Sequence, residues 1–198
     1  MWQMNSDTDD PTAAQYISYF TEVFDAHHDT IPGIQIGCFG IMPVQPIGAN
    51  TAADLKTLNT RAAPIAAAAD YIAPDLYLTT DNWPTRYGGV QAATPTREAN
   101  FRLYAENVAA YAKQYNKPVY VFICPQYIND ALAFPFIDGA YWKTILETCY
   151  QLLDGVILWG GYDLVNQIPP KSVPWDEQAA WWQQTKDFII KYNLEPLG

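Results

Sequence analysis

Four short apolar runs, each followed by a long loop and then a helical pattern, constrain the fold more than any other feature of this chain. The runs lie at 33–41, 75–79, 118–124 and 155–160. They are continuously apolar rather than alternating, as expected of parallel strands covered by helices. Helices are predicted over about 12–28, 52–69, 96–115, 138–152 and 176–192. Asp10-Pro11 and Thr51, with Asp54 three residues on, supply helix-start signals. Pro64 predicts a kink or a break into two pieces. The class is α/β.

Loop lengths give the next inference. Helix-to-strand connections are short, whereas the strand-to-helix connections 42–50, 80–95, 125–137 and 161–175 are long. In a parallel α/β fold every such loop lies at the C-terminal edge of the strands, where ligands bind. Two architectures fit. One is a (β/α)8 (TIM) barrel or its C-terminal half, strands five to eight. The other is a five-stranded open doubly wound sheet, with a first strand drawn from Met1–Asn5. A complete barrel takes about 250 residues, and this chain has 198. The strand-to-helix turns lack a glycine-rich phosphate signature, and their loops are aromatic instead.

Composition narrows the function classes. The net charge is −10, with eleven scattered basic residues, so neither nucleic acid nor an anionic membrane surface is an expected partner. No apolar run approaches the roughly 18–20 residues that span a bilayer. No signal peptide is visible after Met1. Cys38, Cys124 and Cys149 are an odd, widely spaced set expected to be buried free thiols. His27 and His28 are adjacent at a helix end and point in different directions, which does not make a metal site. No cofactor is called for.

The last three strands resemble the hyaluronidase family of glycoside hydrolases. Ala73-Pro74-Asp75-Leu76-Tyr77-Leu78-Thr79-Thr80 is similar to that family's sixth strand. Pro118-Val119-Tyr120-Val121-Phe122 with Pro125-Gln126-Tyr127 is similar to its seventh, and Asp154-Gly155-Val156-Ile157-Leu158-Trp159-Gly160 to its eighth. Gly37-Cys38-Phe39-Gly40-Ile41-Met42-Pro43 more loosely resembles its fifth. The resemblance covers about 33–192 and implies a barrel with a sugar site at its mouth. The family's acidic pair ends the fourth strand, a point that falls at or before Met1-Trp2 here. Cys124 stands where the family often has arginine. The resemblance therefore implies one (β/α) domain over 1–198, incomplete at its N-terminus. The principal acids would come from upstream or from a partner chain.

Glycoside hydrolysis needs two carboxyl groups or an equivalent substrate group. The acids on the expected face are Asp81, Glu98, Asp130, Asp138 and Asp163. Asp138 reads as a helix N-cap and Glu98 as a complement to the helix dipole. The candidate catalytic residues are Tyr77, Asp81 and Asp163, each at or just beyond a strand end. The candidate sugar-binding residues are Phe39, Trp83, Tyr127, Trp159 and Tyr162, because flat rings suit the apolar faces of sugars. The expected function is a glycoside hydrolase-like protein acting on or binding a polysaccharide or glycoconjugate. The alternative is a non-catalytic carbohydrate-binding or assembly protein built on a half-barrel. The expected partners are a carbohydrate substrate and either a second copy or the missing N-terminal half. An extracellular site follows if the protein is a polysaccharide hydrolase.

Overall fold

A computed structural model describes residues 10–43, 52–78, 96–127, 135–160, 162–163, 171–172 and 175–194. The described elements are α1 (Asp10–Thr30), α2 (Ala52–Ala68), α3 (Arg97–Gln114), β1 (Tyr120–Ile123), α4 (Gly139–Leu152), β2 (Gly155–Leu158), β3 (Tyr162–Asp163), β4 (Lys171–Ser172) and α5 (Ala180–Tyr192). All five helices fall where helical spacing predicts them. The predicted strand at Met1–Asn5 lies outside the described residues.

Strand order separates the two architectures. β1 and β2 form a parallel ladder from Tyr120 opposite Gly155 to Ile123 opposite Leu158. The two earlier apolar runs join the same surface by single parallel bridges, Phe39 to Ala73, Ile72 to Val119 and Asp75 to Phe122. Backbone bonds fill the gaps: Gly40 N–H to the Ala73 carbonyl at 2.9 Å, and Leu76 N–H to the Phe122 carbonyl at 2.8 Å. The second run thus pairs from Ile72, three residues before its predicted start. Neighbours in space follow chain order without the reversal that defines a doubly wound sheet. Right-handed crossovers between such neighbours put α2, α3 and α4 on one side of the sheet. The open-sheet alternative is set aside, and the class is α/β with parallel strands.

The strand residues divide by alternation. Ile72, Leu76, Leu78, Val119, Val121 and Ile123 are buried in the core against the helices. Across the sheet, Tyr71 meets Tyr120 with ring centroids 5.3 Å apart, and Phe39 meets Phe122 at 4.6 Å, both edge to face. These rings line the concave side. Burying each large apolar side chain on the helix side contributes about 1.5–3 kcal/mol.

Helix ends and helix contacts are set by specific polar groups. Thr96 caps α3, its hydroxyl accepting from the Ala99 N–H. Asp138 caps α4 by accepting from the Tyr141 N–H, as its place in the sequence predicts. Fully buried Trp142 donates its indole N–H to the Thr185 hydroxyl at 2.9 Å, pinning α4 to α5. Pro64 does not divide its helix, since α2 runs unbroken through it. The reason is packing, because Ala62, Ile65 and Ala66 beside it are completely buried. That burial outweighs the one backbone bond that proline removes. The three cysteines are free and buried.

Candidate functional site

The C-terminal ends of the strands bring together polar groups that the helix-facing core excludes. Tyr71, Ala73, Asp75 and Tyr77 alternate onto the concave face, and so do Tyr120, Phe122, Cys124 and Gln126. Asp75, Tyr77, Cys124 and Gln126 are 5, 6, 7 and 3% exposed. Tyr77 lies 6.1 Å from Phe39, centroid to centroid. Burial pushes the Tyr77 phenol well above its usual range, and the charge of Asp75 and the Cys124 thiol add to the effect. Tyr77 therefore stays protonated near neutral pH, a hydroxyl that can both donate and accept.

Two glycines make room for this cluster. Gly40 adopts φ +65°, and a β-carbon there would stand 3.3 Å from the Asp75 carboxylate. Gly160 adopts φ +136°, and a β-carbon there would stand 2.7 Å from the Cys124 sulfur and 3.7 Å from the Gln126 side-chain oxygen. Both backbones approach the concave polar groups as only glycine allows. Beside them Trp159 is half exposed, its backbone N–H bonded to the Ile123 carbonyl. Trp159 thus follows directly on the end of β2.

The chain shares its fold with part of a hyaluronidase barrel. Superposition on a crystal structure of bee venom hyaluronidase in complex with a hyaluronic acid tetramer gives a TM-score of 0.53 at 15% identity. It covers 96% of this chain and 56% of that one. A monoclinic crystal structure of bee venom hyaluronidase gives 0.53 at 16% identity, covering 93% and 57%. The chain thus spans little more than half the length of these relatives. No family model and no curated protein matches the sequence. At this identity the likeness establishes the fold, and it agrees with the barrel glycoside hydrolase that the strand motifs resemble.

The sequence-predicted site residues are distributed unevenly. Tyr77 and Phe39 lie together on the concave face, with Trp159 at the end of β2, beyond the intervening β1. Tyr127 is on the helix side. Its hydroxyl accepts from Arg97 at 3.2 Å, within a cluster where Arg97 also binds Glu98 and Asp138 and stacks 4.2 Å over the Tyr141 ring. Tyr162 and Asp163 form β3, paired antiparallel with β4, and only their backbone is described. Asp81 and Trp83 lie outside the described residues, as does Asp130. Asp75 and Gln126 were missed as site residues. Asp75 carried a signal, an acidic residue inside an apolar strand two positions before Tyr77, which places both on one face.

An aromatic group borders the mouth. Phe136 stacks on Trp181 with centroids 6.2 Å apart and an interplanar angle of 11°. Trp175, 61% exposed, meets Trp181 and Trp182 edge to face. Among the described residues no group of three His, Cys, Asp or Glu could hold a metal ion, and no helix is long and apolar enough to cross a membrane.

Proposed function

We propose that this chain supplies strands five to eight of a (β/α)8 glycoside hydrolase-type barrel that acts on or binds a polysaccharide or glycoconjugate. The observation that carries this reading is the polar cluster of Asp75, Tyr77 and Gln126 on the concave face, beside half-exposed Trp159. In this reading Trp159 is the platform for a sugar ring, and Phe39 closes the far side. Tyr77 orients the substrate through its protonated hydroxyl. Asp81 and Asp163 act as polar contacts or as one member of the carboxyl pair that hydrolysis requires. Trp83 and Tyr162 extend the sugar-facing loops. The remaining acid comes from a segment or partner that completes the barrel.

Calorimetric titration with oligosaccharides containing N-acetylhexosamine tests this. The chain is expected to bind, and Trp159→Ala is expected to weaken binding at least tenfold, about 1.4 kcal/mol. Failure of the parent chain to bind any of them overturns the reading.

A second reading, a non-catalytic carbohydrate-binding or assembly protein on a half-barrel, has its own observation. Leu158 at the end of β2 is 40% exposed and Ile190 on α5 is 77% exposed. Apolar groups left open at one end of a strand-helix array favour association. Sedimentation at micromolar concentration would then show a dimer or larger assembly. A monodisperse monomer would exclude it.

A further inference from the structure

We propose that a second copy of this chain closes the barrel, with two half-barrels related by a two-fold axis along the barrel and sharing one mouth. The proposal rests on the barrel reading above and names the partner that completes it. Its starting point is that the strand-helix array has two open ends. Among the described residues β2 pairs with β1 alone, and the first apolar run pairs only with the segment at 70–73. Exposed apolar side chains gather at both ends, Tyr19, Val23 and Ile34 at the first and Leu158, Ile189 and Ile190 at the last. Four strands are half of the eight that closure requires, so two copies leave no open edge.

The terminal helices turn matching flanks outward along the ring. α1 packs Ala13 and Phe24 into the core and reaches Asp70, just beyond α2, through His28 at 2.8 Å. At about 100° per residue, Tyr19 and Val23 fall on the opposite flank from His28, away from α2. α5 meets α4 through Thr185, Phe188 and Tyr192, which leaves Lys186 and Ile190 on its far flank with Ile189 beside them. A half-turn about the barrel axis brings α1 of each copy against α5 of the other. The same rotation sets β2 of each copy beside the first run of the other, parallel like the rest of the sheet, and makes every contact twice. Charge agrees with this pairing. α1 carries Asp10, Glu22, Asp25 and Asp29 and neither Lys nor Arg, whereas the far flank of α5 carries Lys186. An acidic helix thus meets a basic group set among apolar ones. The mouth then holds the cluster of Asp75, Tyr77 and Gln126 twice, facing itself across the barrel.

Sedimentation of the full chain at micromolar concentration is expected to give twice the 22.3 kDa chain mass. Ile190→Asp and Lys186→Glu should each raise the dissociation constant at least tenfold, with helical circular dichroism confirming that both variants fold. Val23→Cys and Ile190→Cys, mixed and treated with a flexible bismaleimide, should cross-link to a covalent dimer, and neither variant should do so alone. The native thiols are buried and do not compete. A monodisperse monomer overturns the proposal and leaves a separate N-terminal half as the occupant of the open ends. A dimer that neither charge variant weakens and that the mixed thiols do not bridge uses another surface, which also overturns it. A cross-linked ladder beyond two chains overturns closure by two copies. None of these results touches the carbohydrate reading, which calorimetry of the parent chain decides. A bridged dimer that binds no sugar keeps the proposal and overturns that reading instead.

Discussion

Asp138 holds two elements at once: one carboxylate oxygen accepts the Tyr141 N–H at 2.9 Å while the other binds Arg97 at 2.8 Å. The residue that caps α4 therefore also fixes the start of α3, 41 positions earlier, where the strand-to-helix loops meet the helices. Loss of the cap in Asp138→Ala should cost about 1 kcal/mol. The exposed ion pair should add no more than a few tenths. Urea denaturation reads this directly, and Asp138→Asn should recover most of the cap.

The same group gives the acid limb of stability. The Tyr141 N–H, with Arg97 assisting against partial burial, holds Asp138 below the usual carboxylate range. His28 and the Ile36 N–H do the same for Asp70, and Lys191 with Tyr192 for Glu147. A depressed carboxylate stabilises the fold above its unfolded value of about 4 and loses that contribution as pH falls through the folded value. The urea midpoint should therefore be flat from pH 7 to about 5 and drop steeply below 4. An unchanged midpoint at pH 3 would contradict it.

Thr185→Val should remove the acceptor for the Trp142 indole N–H and leave that donor buried. The expected loss is about 1–3 kcal/mol, with Thr185→Ser restoring most of it. Near-ultraviolet circular dichroism during thermal melting would follow both the stability and the tryptophan environment.

The thiols should be silent in the native state. Burial pushes Cys38 and Cys149 up to about 12 and raises Cys124 as well. Almost no thiolate is present near neutral pH, and the thiolate is the reactive form. A thiol-reactive chromophore should report no fast-reacting group before denaturation and three after it.

Gly160→Ala should be more disruptive than its size suggests. The new methyl would lie 2.7 Å from the Cys124 sulfur, at a φ of +136° that side chains rarely adopt. Strain of this kind costs about 1–3 kcal/mol. Because Cys124 and Gln126 stand on the concave face, any sugar binding should fall along with the melting temperature.

What the amino-acid sequence determined by itself was local. Helical spacing placed α1 to α5, the side chain of Asp138 marked a helix start, and loop lengths put the long connections on one edge. Each depends on residues a few positions apart, whose hydrogen bonds and spacing are written in order along the chain. Even there, Pro64 left a kink and a break as alternatives, and the break does not occur, because the burial of its neighbours is not a local quantity. The tertiary structure alone decided the rest. Strand neighbours follow chain order, Arg97 reaches Asp138, Tyr127 turns to the helix side, and Asp75 with Gln126 joins Tyr77 inside. The physical reason is that aromatic and small residues fill most of the concave face, so these runs read as apolar throughout and carry little alternation to show which side turns toward the helices. Only closing the sheet into a curved array sorts Leu76 into the core and Asp75 to the mouth.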